Sequence, residues 1–437
     1  MDAPIGIGIG RARSPDPDPV VAWSKRAAWH RRTALLPLGY LAAAVVTGVL
    51  ALAGVRAGWL LLHLLLLGAV TNAIVVWSAH FTATILRAPA AQRRLPEAAR
   101  LAALNAGVVA VLAGGSAGPA WLGVAGAGVV FAAITAHLAA LAALARRALP
   151  ARFVVVVWYY LAAGIALLTG IPAGAWMLTV PDHQRARILL FHAQVNVLGW
   201  VTLTVLGTLV TLWPTVLRAQ VAQGATRDAR RGLIACSAGL LLLASGAALW
   251  LRPLIALGLA GFAAGVAVSL RPAVTALRQR PPVTFAGLSM AAGSCWLLVT
   301  LGWDAWALLS APGPAAAADH FDLLAVALAV GFASQVMMGA LSYLLPMALG
   351  GGPAMVRQNA QGLNRCPRLR LAAVNLGLVT LLWVPVPAVR AGGALLAAAG
   401  AAMFVAPAAI LAVRSRRPAS DRRTPLADSQ ENRVHSE

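Results

Sequence analysis

Residues 191–214, from Phe191 to Pro214, read FHAQVNVLGWVTLTVLGTLVTLWP. The run is apolar and long enough to cross a bilayer, yet His192, Gln194 and Asn196 sit near its start. Polar side chains that ligate or hydrogen-bond are costly in hydrocarbon, so their presence there points first to a functional site. His192 and Asn196 stand one helical turn apart and share a helix face. Gly199 and Gly207 on the same helix would admit a close neighbour, either another helix or a flat cofactor. The competing reading of His192 is a side chain that only hydrogen-bonds a backbone carbonyl on the next helix.

Composition places the rest of the chain around that stretch. Hydrophobic residues make up 60% and charged residues 11%, and the mean hydropathy is +0.78. Those values exclude a soluble enzyme and predict an all-α polytopic membrane helix bundle. The net charge of +22 arises from short basic clusters between apolar segments. Such spacing follows the positive-inside rule, so the lipid bilayer is the expected partner and nucleic acid is not. Cys236, Cys295 and Cys366 lie far apart, which fits neither a disulfide framework nor a thiolate metal site.

About 20 apolar residues span a bilayer core, and twelve candidate transmembrane helices follow. They are Ala34 to Val55, Trp59 to Leu86, Leu101 to Ala117, Trp121 to Ala145, Phe153 to Leu178, Leu189 to Trp213, Gly232 to Leu251, Leu254 to Leu270, Phe285 to Leu309, Phe321 to Leu349, Leu371 to Val389 and Gly392 to Val413. With both termini cytoplasmic, all of the 35 basic residues except Arg56, Arg185, Arg187, Arg252 and Arg390 face the cytoplasm. An error in the helix count would invert later loops and destroy that asymmetry. Residues 1–33, with their SPDPDP run, and 415–437 read as disordered tails on a single domain spanning 34–414. The alternating glycines near the N-terminus lack the strand and helix that a phosphate loop needs. No sequence repeat between halves is evident, and the expected location is the cytoplasmic membrane.

Orientation gives the histidines depths. His63 and His192 fall in the outer half on the second and sixth helices, with His183 and His320 in or beside outer loops. His80 lies roughly 25 Å deeper than His63, beside Trp77 and Asn72, and is expected to pack between helices. His137 has the same reading on its Ala-rich helix, while His30 and His435 flank the spans in the cytoplasm. Neutral imidazoles on different helices are a common way to hold haem iron or copper, which makes His63 and His192 the favoured metal pair. Asn196 and Gln335 are the further cofactor-binding candidates. On the tenth helix Ser342, Tyr343, Met337 and Met338 could line a cavity, although methionines often serve as filler. Asp304, between Trp303 and Trp306, reads as an interfacial residue.

The twelve spans, HLLLLGAVTNAIVVW from His63, HAQVNVLGW from His192 and GALSYLLPMALGG at the end of the tenth helix resemble the haem-copper oxidase subunit I superfamily. The likeness is nearest to its divergent NnrS-type and cbb3-like members. The chain is also similar to the actinobacterial membrane protein found alone or fused to a cupredoxin module of copper oxidases or nitrite reductases. The resemblance implies a haem ligand at His63, a copper ligand at His192, and a redox or nitrogen-oxide-related role. A cupredoxin-type copper enzyme or another electron donor would be the protein partner. The family's seventh helix supplies two more copper ligands and its tenth the facing haem ligands. Here the seventh span has no histidine, and the tenth has Gln335 inside and His320 only at its mouth. Reduction of oxygen at a complete haem-copper centre is therefore not expected. Two other readings compete: a small-solute transporter or channel lined by His192, Asn196 and Gln335, and a non-catalytic membrane partner of a secreted copper enzyme.

Overall fold

A computed structural model describes residues 27–53, 57–88, 94–149 and 151–415, apart from the side chains at 182 and 183. The rest of both tails and His435 lie outside the described residues. Among the described residues the chain is helical throughout, with no strand. Eleven helices are long and apolar enough to cross a membrane: α1 (Ala27–Leu52), α2 (Gly58–Ile85), α3 (Leu95–Ser116), α4 (Ala120–Arg147), α5 (Val155–Met177), α6 (Gln184–Leu217), α7 (Ala225–Leu249), α8 (Arg252–Gln279), α9 (Phe285–Ser310), α10 (Phe321–Leu349) and, after one more, α12 (Pro387–Arg414). The remaining one, α11 (Pro367–Trp383), has 17 residues. It stops short of the expected edge at Val389 because Pro385 and Pro387 cannot continue it. At the other end of the chain α1 begins seven residues before the expected edge at Ala34, drawing His30, Arg31 and Arg32 into the helix.

The helices form a closed ring of three four-helix units, α1–α4, α5–α8 and α9–α12. The most extensive contacts are the hairpins α3/α4, α7/α8 and α11/α12, one per unit. Each is zipped by small residues: a Cβ on Gly107 would lie 2.8 Å from the Gly126 carbonyl, one on Gly258 2.3 Å from Leu243 N, and one on Gly377 2.5 Å from Ala397 N. In a lipid solvent, such close backbone approach is a main source of helix–helix attraction. The units join in sequence, α4 on α5, α8 on α9 and α12 back on α1.

The second helix of each unit forms the centre. In α6 and α10 78% of the apolar window is buried, against 33% in α3, α4 and α12. These three central helices share a deformation. Residues Leu64–Val70 of α2, Gln194–Leu203 of α6 and Ala327–Ser334 of α10 are wound as π-helix. The wider winding is visible in the side chains: Thr71 Oγ1 donates to the Leu66 carbonyl and Thr202 Oγ1 to the Val197 carbonyl, each five residues back. The π segments of α2 and α6 both touch that of α10, and Trp200 Nε1 donates to Thr71 Oγ1 to tie α6 to α2.

The pattern is threefold, which the expectation of no repeat between halves did not address. Residues 199–214, GWVTLTVLGTLVTLWP, align with residues 331–346, GFASQVMMGALSYLLP. Gly199 matches Gly331, Thr202 matches Ser334, Gly207 matches Gly339 and Pro214 matches Pro346. In α2, Gly68 and Thr71 keep the first two positions. The repeat is by thirds, which a comparison of halves cannot register.

The outward face is apolar, as a lipid-facing surface requires. Of the six exposed tryptophans, Trp158 lies near the basic end of α5, and the other five, Trp59, Trp121, Trp176, Trp306 and Trp383, sit at the helix ends away from the basic loops. That is the aromatic belt of a membrane interface.

Candidate functional site

On the Trp-rich side, α5 and α6 build the first part of the site. Gly170 and Gly174 stand one turn apart on α5, facing His192 and Asn196 one turn apart on α6. A Cβ on Gly174 would sit 2.6 Å from His192 Cε1, and one on Gly170 2.2 Å from Asn196 Oδ1. The glycines are therefore the space into which the two polar side chains fold. His192 Nδ1 donates to the Gly170 carbonyl at 2.9 Å, so the carbonyl partner of the competing reading is present. It occupies Nδ1 and leaves Nε2 as the lone-pair nitrogen. The Asn196 amide lies 3.1 and 3.2 Å from the two ring nitrogens, while Asn196 Oδ1 is buried without a hydrogen-bond partner.

His63 is held the same way. Its Nδ1 donates to the Trp59 carbonyl at 2.8 Å, one turn back on α2, and its ring stacks on the Trp59 indole with centroids 4.1 Å apart. Trp59 in turn packs over Gly115 of α3, where a Cβ would lie 2.2 Å from the indole. A backbone carbonyl on Nδ1–H fixes the tautomer and aims Nε2, the usual outer support of a ligating histidine. The structure brings together His192 and Asn196, while His63 stands on α2 against Trp59. Both rings keep part of their surface exposed.

Gln335 goes elsewhere. Its Nε2 donates to the Gly331 carbonyl and to Asn375 Oδ1, and its Oε1 accepts from Asn375 Nδ2 at 3.0 Å. Trp296 Nε1 completes the group on Asn375 Oδ1 at 2.7 Å. The amide is used up joining α10 to α11. Two units earlier, Asn72 of α2 and Asn105 of α3 form the equivalent reciprocal pair at 3.2 and 2.9 Å.

Asp304 overturns its interfacial reading. It is 4% exposed, and Gln194 Nε2 donates to both of its carboxylate oxygens at 2.9 Å. This clasp links α6 to α9 on the side of α6 opposite His192. Its signal was present in the sequence, since Gln194 lies two residues from His192 and must face another neighbour. Gly199 and Gly207 admit helix α5 and not a flat group, because a Cβ on either would strike Ala166 Cβ or Tyr159 Cβ at 2.4 and 2.5 Å.

The other histidines with described side chains are packed at the opposite end or peripheral. His80 does pack between helices, its Nδ1 3.2 Å from His30 Nε2, and the His30 ring stacks on Trp77. His30 is 3% exposed, inside the bundle and not flanking it. His137 Nε2 is 3.0 Å from Ser78 Oγ, and His320 lies against Trp306.

Beyond the π segments, towards the basic end, α2, α5, α6, α9 and α10 line a half-open cavity of about 80 Å³. Met337 and Met290 are in its wall. It is far below the 300–1,000 Å³ of sites for drug-sized ligands and offers no room for a macrocycle.

His63 and His192 are two imidazoles at this end whose Nδ1 is held by a backbone carbonyl. They do not fit a complete haem-copper centre. Among the described residues no three His, Cys, Asp or Glu side chains converge, and the only inward polar group of the tenth helix that the resemblance offered is bonded to Asn375. The chain matches no family model, and no curated protein matches it.

Proposed function

We propose that this multi-pass membrane protein of the cytoplasmic membrane holds a metal-bearing redox group at its outer end, with His63 and His192 as the protein ligands. The carrying observation is the shared preparation of the two rings. Each comes from a central helix and each spends its Nδ1–H on a backbone carbonyl, while the Asn196 amide 3.2 Å from His192 Nε2 would give way to a ligand there. A copper ion or a haem iron would supply one-electron chemistry there. The chain's own part is to orient the rings, to seat His192 in the gap that Gly174 leaves, and to present the Asn196 amide beside it. The resemblance to the haem-copper oxidase superfamily agrees in placing ligands on the second and sixth helices. The missing ligands narrow the reading to a single low-coordinate metal, with electron transfer or nitrogen-oxide chemistry in place of oxygen reduction.

Purification in detergent, followed by absorption spectroscopy and metal analysis, tests this. The expected result is about one copper, or one haem with its Soret band, per chain. Protein that is folded and takes up neither after reconstitution contradicts it.

One observation favours a second reading, transport of a small solute. Asp304 is a carboxylate buried in the membrane with only an amide for a partner, and such residues commonly mark ion or substrate paths. Uptake into vesicles that is lost in Asp304→Asn, by protein that binds no metal, would establish it.

A further inference from the structure

Between α10 and α11, at the basic end of the bundle, the chain forms a further helix, Gly352–Leu363. It touches α10 and α12. Val356, Asn359 and Leu363 share one face and are covered, while the other nine residues are exposed. A helix of 12 residues is marginal in water unless tertiary packing supports it, and here three side chains supply that packing. Its charge is one-sided. Residues 357–370 hold four arginines and no acid. Arg357, Arg365 and Arg368 are exposed, and the two described acids at this end, Glu97 and Asp228, are taken by Arg94 and Arg227. Arg370 is buried, with Nη1 donating to the Leu363 and Arg365 carbonyls. Its guanidinium lies 4.0 Å from the Phe285 ring, and its Nε and Nη2 have no hydrogen-bond partner. Apolar surface accompanies these charges: Met355, two residues before Arg357, and Leu369, next to Arg368, are both exposed.

We infer that residues 352–369 form a binding surface for an anionic phospholipid, with Arg357, Arg365 and Arg368 on its headgroup and Met355 and Leu369 against its acyl chains. Charge sets the sign of the partner, since three exposed cations stand there without an anion. The apolar side chains set its class. A free anion such as phosphate would match the arginines and leave Met355 and Leu369 in water. A zwitterionic lipid would cover the apolar side chains and bring no net charge. An anionic phospholipid meets both demands, in the manner of helices that lie in the membrane interface with cations on the headgroups. Its negative charge would also offset that of Arg370, because a buried charge without a counter-charge is costly.

The test is native mass spectrometry of the full-length protein in a neutral detergent, titrated with dioleoyl-phosphatidylglycerol or dioleoyl-phosphatidylcholine. The first phosphatidylglycerol should bind well before any phosphatidylcholine, and inorganic phosphate should not displace it. Arg357→Gln, Arg365→Gln and Arg368→Gln should each weaken that first lipid about fivefold, the worth of one cation near an anionic surface. Arg146→Gln and Arg147→Gln at the end of α4, exposed arginines of the same membrane side, should leave it unchanged. In nanodiscs, amide exchange over residues 352–363 should slow when phosphatidylglycerol replaces phosphatidylcholine, and about 1 M salt should remove the difference. Equal binding of the two lipids overturns the inference. So does displacement by phosphate, which would mark a site for free anions, or a first lipid that the α4 variants weaken as much as the linker variants do.

Discussion

At the scale of single residues, the outer site depends on atoms that are missing as much as on those present. Gly174 has no Cβ, and His192 occupies the volume. Gly174→Ala would force the ring away from the Gly170 carbonyl, loosening the tautomer and the aim of Nε2. Loss of such an outer support costs about 10–100-fold in metal affinity, and that is the drop expected in a chelator competition. Gly302→Ala on α9, where a Cβ meets nothing within 4 Å, should leave affinity unchanged. His192 and Asn196 were legible in the sequence because polar residues stand out in an apolar run. Gly174 was not, since a glycine in a membrane helix carries no sign of which neighbour fills its gap. Asp304 was misread for a related reason. Flanking tryptophans suggest an interface, whereas burial was decided by Gln194 on another helix.

At the scale of elements, the three π segments are what the helical pattern hid. Both an α-helix and a π-helix read as an unbroken apolar run, so hydropathy places the spans but not their winding. The side chains expose it, through the bonds of Thr71 and Thr202 to carbonyls five residues back. Deleting Ala193, in the α-helical turn ahead of the π segment, would turn His192 by about 100° relative to the rest of α6. Helix content by circular dichroism should hardly change, while His192 would leave Gly174 and metal binding would be lost; retained binding would contradict the register given to His192. The amide pairs provide an opposite case. Gln335→Leu leaves Asn375 without its reciprocal partner and should cost about 1–2 kcal/mol in a detergent unfolding assay. Metal content should not change, because Gln335 serves the α10–α11 contact and not the histidines.

At the scale of the whole molecule, span count and charge asymmetry were readable from sequence because each span must satisfy the bilayer on its own. The ring of three units was not, because the repeat lies in packing geometry and in sparse glycines, not in overall similarity. Orientation remains directly measurable. In a background with the three native cysteines replaced by serine, Ala117→Cys in the α3–α4 turn should react with an impermeant maleimide on intact cells, and Arg227→Cys at the start of α7 should not. The reverse pattern would move the histidine pair to the cytoplasmic face. The central claim, that His63 and His192 act jointly as ligands, is tested most directly by titrating copper(I) against a chelator in wild type, His63→Ala and His192→Ala. Each single variant should lose more than the 10–100-fold expected for an outer support, with the double variant little worse than either. Wild-type affinity in His63→Ala or in His192→Ala would contradict it.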